Sequence, residues 1–554
     1  MQTRVRSVLV GVVVASFAAR GWSQENVRRL PVKEYRDKMK AGWIGQIIGV
    51  SWGAPTEGRF REIMPPDKMP PFQDTLVNSA FSQDDLYVEM TFLRSMEQYG
   101  FDVPIRQAGI DFANSGYALW VANNAGRTNL RNGIAPPDSS HPKFHNCAGA
   151  IDYQIEADYA GLIAPGMPDR VIALGEKFGR LMNYGDGVYA GQFIGVLYAE
   201  AFFEKDVHKL IEAGLKSIPS ECMYAEMVRD LVKWHRENPD NWETTWRLVD
   251  EKYRKNKQYY ISALDVKLEG AFVLMGLLYG EGDPDKIMTI SCRCGSDSDC
   301  NPSSSGGIIF TTLGVSHLPD RYYRKLDETK VFSHTAYNFP ALMAVCEKLA
   351  RDALVRSGGR IEKTADGEEV FVIPVKTSKP SRFEDLKNPG PVANSRFTDD
   401  EMAKIQVVGL QWALPKYLPG WEMRPAPQIL GFMHREWKGR KNVWAIAMPG
   451  GSKSDWALTR KVEVAAGKKT RLTLAAGCDV NSEGWELTVK ADEKELARKP
   501  IRKDTTQDGW TKVEADLSDF AGKTVSLDIV GMPQKPGERS RPACYLSDIS
   551  IVGE

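Results

Sequence analysis

Four stretches of this chain are apolar and at the same time rich in glycine and alanine: Ala41 to Gly49, Ala190 to Phe203, Gly270 to Tyr279 and Gly306 to Gly314. They lie within a longer region, from about Val32 to Asp352, where apolar residues recur at spacings of three and four, the period of helices with one buried face. Glycine inside a helix costs about 1 kcal/mol relative to alanine. Its repeated use is explained if these helices press backbone against backbone, with no room for a side chain between them. The pattern predicts a compact all-α domain with these four helices at its centre, and not a formal repeat.

A chain of 554 residues exceeds what one core organises, so two or three domains are expected. Basic and acidic residues balance at 72 each, which gives no reason to expect a nucleic-acid or anionic-membrane partner. The N-terminus reads as an export signal. Arg4 and Arg6 precede an apolar run from Val8 to Ala19, and Gly21 and Ser23 are small residues placed before a cut near Gln24. No later run is apolar enough to span a bilayer. The expectation is a secreted or periplasmic protein with no stable membrane insertion after cleavage. Eight cysteines in this length make no disulfide framework, although Cys478 and Cys544 are candidates to pair.

After Gly358 the character changes. Glu369 to Val375 reads as a strand and Thr377 to Ser395 as a linker. Short alternating segments follow at turn-separated spacing: Lys441 to Ala447, Arg460 to Val464, Arg471 to Leu474, Trp485 to Val489, Thr511 to Ala515, Val525 to Ile529 and Cys544 to Ile551. These predict a β-sandwich, similar in pattern to the galactose-binding-like jelly rolls attached to exported glycan-active enzymes. Trp444, Trp456, Trp485 and Trp510 are then either sugar-stacking platforms or core. The stretch Asn123 to Asn146 reads as a polar loop. The resulting division is 1–23 signal, 24–357 helical domain, 358–400 strand plus linker, and 401–554 sandwich.

Chemistry concentrates in acidic pairs. Asp297 and Asp299 stand among small and polar residues immediately before the Gly306 helix. They fit a hard-metal site, a helix cap, or a neighbourhood in which Cys292, Cys294 and Cys300 are the ligands. A second pair, Asp84 and Asp85, is followed by Glu89, which shares a helix face with Asp85. Adjacent carboxylates repel when both are charged, and a cation explains their placement more easily than packing does. Glu57 follows the first glycine-rich helix.

Together these pieces resemble the ADP-ribosylglycohydrolase family, also called dinitrogenase-reductase-activating glycohydrolases. The resemblance rests on Gly45 to Glu57 for the opening glycine-rich helix and turn, Gln83-Asp84-Asp85 for a Thr-Asp-Asp motif, and Gly295 to Asn301 for a closing Gly-Asp-x-Asp-Thr motif. It covers roughly residues 30 to 350. It implies an all-α domain holding one or two divalent metals, usually Mg²⁺, at the base of a cleft. Asp84, Asp85, Asp297 and Asp299 would be the metal carboxylates, with Gln83 beside them. Glu57 maps onto the glutamate that closes over the metals, and Glu57, Asp85 and Asp297 are the catalytic candidates. Two residues depart from the family pattern: Gln83 and Cys300 each stand where the family has threonine, and a thiol is a softer ligand than Mg²⁺ prefers. The segment from Asn146 through Asp152, Glu156 and Asp158 stands about where the family binds substrate, and Asp186 and Tyr189 lie in a further polar mouth. The implied activity is exported, metal-dependent hydrolysis of an N- or O-glycosidic bond to a ribose-like sugar. The alternatives are a secreted hydrolase of glycan furanosides or other oligosaccharides, and a non-catalytic binder of sugars or nucleotide sugars. The oligomeric state is not readable.

Overall fold

The computed structural model describes residues 26–424, 431–447, 455–479, 484–533 and 543–553, so the stretch expected to be an export signal lies outside the described residues. All four glycine-bearing stretches are helical over all or nearly all of their length, in Val32–Gly53, Asp186–Ala201, Val266–Tyr279 and Cys300–Leu313. Every residue of Asp186–Ala201 and Val266–Tyr279 is buried, as a helix wrapped on all sides requires. The tightest approach is between Val32–Gly53 and Cys300–Leu313. A Cβ on Gly45 would strike the backbone of Gly306 and Gly307, and one on Gly49 would strike the Pro302 carbonyl. The glycines therefore let the start of Cys300–Leu313, with the two aspartates before it, lie directly against the end of Val32–Gly53.

The helical domain carries a small sheet. Val27–Pro31 pairs antiparallel with Glu369–Pro374, which also pairs with Arg360–Lys363. The chain thus returns to its own start after the last long helix, Phe339–Arg356. One reading, that of a polar loop from Asn123 to Asn146, needs correction. Val121–Arg131 is a helix, not part of a polar loop. Three of its polar residues are buried: Asn123 donates to Glu156, Arg127 to the Tyr117 carbonyl at 2.8 Å, and Asn129 to the Ser139 carbonyl at 2.8 Å. The segment 377–395 has no regular structure, yet it is strapped onto the helical domain. Tyr189 donates to the Arg382 carbonyl at 2.7 Å, Arg180 to Glu384 at 2.8 Å, and the Ala393 and Ser395 N–H groups both donate to buried Asp138. Its backbone groups find side-chain partners instead of a ladder, which is why it carries no periodicity.

The C-terminal region is a two-sheet antiparallel β-sandwich. Five strands run in the order Lys494–Ile501, Trp485–Ala491, Thr524–Pro533, Trp456–Glu463 and Glu422–Arg424. Six run Trp510–Asp516, Thr470–Cys478, Ala543–Gly553, Val443–Ala447, Gly431–Met433 and Val407–Gly409. The sheets face each other across Trp485, whose indole N–H donates to the Gly477 carbonyl of the opposite sheet at 2.9 Å. Trp444, Trp456, Trp485 and Trp510 are all buried, so they are core and not an exposed sugar platform. Cys478 and Cys544 are partners in register on neighbouring strands, and both are thiols. No helix among the described residues is long and apolar enough to cross a membrane.

Candidate metal centre

Asp84 and Asp85 form the first turn of the helix Asp84–Tyr99, and Gln83 is its N-cap residue. Asp299 is the N-cap residue of Cys300–Leu313, but its side chain accepts no capping hydrogen bond. The cap explanation therefore fails for Asp299, and its carboxylate is left for another partner. The approach to this helix is a sharp turn, with Gly295 and Ser296 at φ of +79° and +61°. That turn interlocks with the Glu57 loop. The Ser296 N–H donates to the Phe60 carbonyl at 2.7 Å, the Gly58 N–H donates to the Ser296 carbonyl at 3.2 Å, and the Thr56 and Ser298 hydroxyls share a hydrogen bond at 2.9 Å.

The close packing of helices brings the two acidic pairs into one place. Donor atoms of Asp84, Asp85 and Cys300 lie within 4.8 Å of one another, and so do those of Asp297, Asp299 and Cys300. The Cys300 sulfur is common to both groups. Asp85 is 1% exposed, and neither of its carboxylate oxygens has a hydrogen-bond partner. Among the described residues no lysine or arginine pairs with Glu57, Asp84, Asp85, Asp297 or Asp299. Burying charge without a partner is costly, so these groups resist ionisation. Desolvation, followed by the charge of Asp84, pushes Asp85 well above the usual carboxylate range. Desolvation and the Asp299 charge do the same to Asp297. Asp299 is pushed up to about 7, by burial and then by Glu57. Glu57, the most exposed of the five, is raised by partial desolvation and by the charge on Asp84. A divalent cation would relieve all of these at once, and the donors are hard oxygens apart from the one thiol.

A second layer of acids surrounds this centre. Asp152 accepts from the Ala122 and Asn123 N–H groups at 3.1 and 2.8 Å, and burial pushes it up to about 7. Glu156 accepts from Asn123 through one oxygen, while its other oxygen is buried without a partner. Both feel the charge of Asp84, so these two sequence candidates belong to the same electrostatic unit. Asp158 accepts from Gln46 and Tyr198, both at 2.8 Å, and burial pushes it up to about 8.

Glu269 escaped the sequence reading. It accepts from Ser296 Oγ at 2.6 Å, from Asn301 Nδ2 at 2.9 Å and from the Asp297 N–H at 3.4 Å, which sets the Asp297 turn. The sequence shows it only as an acid near the head of a largely apolar helix, and its partners Ser296, Asp297 and Asn301 lie on a separate, later turn.

The other candidates are engaged elsewhere. Asn146 is exposed and accepts a hydrogen bond from the Cys147 thiol. Asp186 accepts from the Tyr224 N–H at 2.7 Å and lies near the buried Lys267–Asp265 ion pair. The Tyr189 hydroxyl is saturated by the strap, donating to Arg382 and accepting from the Glu384 N–H.

The ADP-ribosylglycohydrolase family model matches residues 31–357. No match is found among curated proteins. One similar solved structure is described as an ADP-ribosylglycohydrolase-related protein complex, at 16% identity and a TM-score of 0.36, covering 58% of this chain and 99% of that one. Two others match a smaller share. TmCBM61 in complex with β-1,4-galactotriose covers 26% of this chain and 96% of its own, at 11% identity and a TM-score of 0.20. A cyclase from Fischerella sp. TAU covers 27% and 96%, at 13% identity and a TM-score of 0.20.

Proposed function

Because the chain belongs to the ADP-ribosylglycohydrolase family, we propose that it is an exported, divalent-metal-dependent glycosyl hydrolase that cleaves an N- or O-glycosidic bond to a ribose-like sugar. The observation that carries the metal is the unpartnered, buried Asp85 carboxylate, gathered with Asp84, Asp297 and Asp299. These four would hold Mg²⁺, with the Gln83 side chain beside them. When bound, the cation supplies Lewis-acid polarisation and open positions for water and sugar hydroxyls.

The chain's own residues do the rest. Glu57 stands at the exposed rim against Asp84, placed to receive the proton of the water that attacks the anomeric carbon and to return it to the leaving group. Asp85 and Asp297 are buried, and once ionised by a bound cation they would place negative charge beside an oxocarbenium-like transition state. Asp152 and Glu156 offer carboxylate oxygens to sugar hydroxyls on the side bounded by the helix Val121–Arg131. Glu269 is a positioning residue, since it touches the Asp297 turn and not the substrate.

Two substrate classes compete. The family favours an ADP-ribosyl linkage. The N-terminal export signal favours an extracellular furanoside, because a secreted enzyme meets glycans. Purified enzyme with Mg²⁺ should release ADP-ribose from modified arginine or serine, or pentose from pentofuranosides, and chelation should stop it. Turnover that survives complete chelation would overturn the metal-dependent reading. Metal binding without turnover on either class would leave a sugar-binding protein.

A further inference from the structure

Residues of the helical domain and of the C-terminal region together line an open cavity of about 840 Å³. It is lined by Trp120, Asn124, Arg127 and Arg131 on one side and by Gln406 and Arg435 on the other. Three guanidiniums share this space, and among the described residues none of them forms an ion pair with a carboxylate. Arg127 is buried. Its Nη1 donates to the Ser115 and Tyr117 carbonyls, and the group lies over the Tyr117 ring, 5.9 Å from its centre. Arg131 donates through Nε and Nη2 to the Ala113 and Ser115 carbonyls. Arg127 Nη2 and Arg131 Nη1 have no protein acceptor among the described residues, so each fork keeps a donor to offer. Burial, followed by the charges of Arg127 and Arg435, pushes Arg131 down to about 9, the mark of crowded positive charge lacking a counter-ion.

Trp120 is 53% exposed at the same cavity, although every described tryptophan of the sandwich strands is buried. An indole left in water beside guanidiniums is placed to lie on the face of a ring while the arginines take its charge.

We propose that this inter-domain cavity binds an anionic sugar, with Arg127, Arg131 and Arg435 receiving its carboxylate or sulfate and Trp120 stacking on the ring. That the ring is a sugar rests on the glycosidic reading above; the requirement for an anion does not. The wall residues Tyr117 to Trp120 run directly into Ala122 and Asn123, whose N–H groups hold Asp152. The cavity wall is therefore joined to Asp152 through the start of the helix Val121–Arg131.

The test is calorimetric titration of the full chain with trigalacturonate, a sulfated galactotriose and neutral galactotriose. Either acidic trisaccharide should bind at least tenfold more tightly than the neutral one, and this preference should weaken as NaCl is raised. Arg435→Ala, at an exposed position, should cost about tenfold in the acidic ligand's affinity. Trp120→Ala should weaken it several-fold. Unchanged melting temperatures in both variants would show that folding is intact. Equal affinity for acidic and neutral chains would overturn the proposal, as would full affinity in Arg435→Ala. ADP-ribose bound in an Arg435-dependent way, with no binding of either acidic trisaccharide, would also overturn it in favour of a nucleotide site. Binding of acidic trisaccharide without hydrolysis of any substrate would leave this proposal standing and remove the catalytic one.

Discussion

Two groups of buried acids sit in the same helical domain and solve the problem of charge in opposite ways. In one, Asp265 is fully buried and forms an ion pair with fully buried Lys267 at 2.7 Å. It also accepts from the Ile261 N–H at 2.8 Å, and Lys267 lowers the cost of the Asp186 charge nearby. In the other, Asp84, Asp85, Asp297 and Asp299 converge with no basic side chain paired to them among the described residues, and at Asp85 only the weakly donating Cys300 thiol is near enough to favour the charged form. The first cluster carries its cation in the chain and is complete as folded. The second has no cation of its own among the described residues, and on the reading proposed above a divalent metal from solution supplies it. That difference separates a structural acid from a functional one better than burial does, because both kinds are buried.

The comparison breaks most visibly under charge removal. Asp85→Asn should lower Mg²⁺-dependent turnover by roughly 1000-fold, as loss of a preorganised charge at a reacting centre does. The same change should raise the melting temperature of the metal-free protein at alkaline pH, where the parent has to ionise a buried carboxyl whose burial opposes it. Thermal melts with and without Mg²⁺ would read both signs. Lys267→Met should do the reverse. It strands Asp265 and should cost about 3–5 kcal/mol in denaturant unfolding, with Mg²⁺ affinity retained in whatever folds.

A pH series sharpens the contrast. Asp299 and Asp152 are raised to about 7 and Asp158 to about 8, against about 4 for unfolded carboxyls. The folded, metal-free state therefore binds more protons between these limits. The stability these groups contribute is fully present below about pH 4 and is lost as pH climbs through 7 to 8. Metal-free melting temperature should fall across that window, and the increment added by Mg²⁺ should grow as protons stop competing for the site.

A smaller effect concerns Cys300, whose sulfur belongs to both donor groups. Cys300→Thr should shift the ratio of Mg²⁺ to Zn²⁺ affinity by about tenfold toward Mg²⁺, measured by competition titration. Smallest of all, Tyr189→Phe removes both hydrogen bonds to the strap and should cost about 1–2 kcal/mol while leaving Mg²⁺ affinity unchanged.

What was legible in the sequence was local. Asp84 with Asp85, and Asp297 with Asp299, stand out as closely spaced carboxylates, which a hard-metal site and a helix cap both use. The glycine-rich helices announce their own close packing. Glu269 was not legible, because its role depends on a turn that begins 26 residues later, at Gly295. The helix Val121–Arg131 looked like a loop because its Asn and Arg side chains serve buried partners far along the chain. Asp186 and Tyr189 sit in a polar mouth by sequence, but tertiary partners had already claimed them. Sequence pattern identifies which residues are chemically capable. It does not identify which of them still have a free valence after folding.

The most direct measurement is calorimetric titration of the metal-free protein with Mg²⁺ at pH 7, in parallel with the Asp85→Ala and Asp297→Ala variants. The account predicts saturable Mg²⁺ binding with proton release in the parent, and loss of that binding in both variants while each remains folded. Absence of binding in a folded parent, for Mg²⁺ and Mn²⁺ alike, would contradict it.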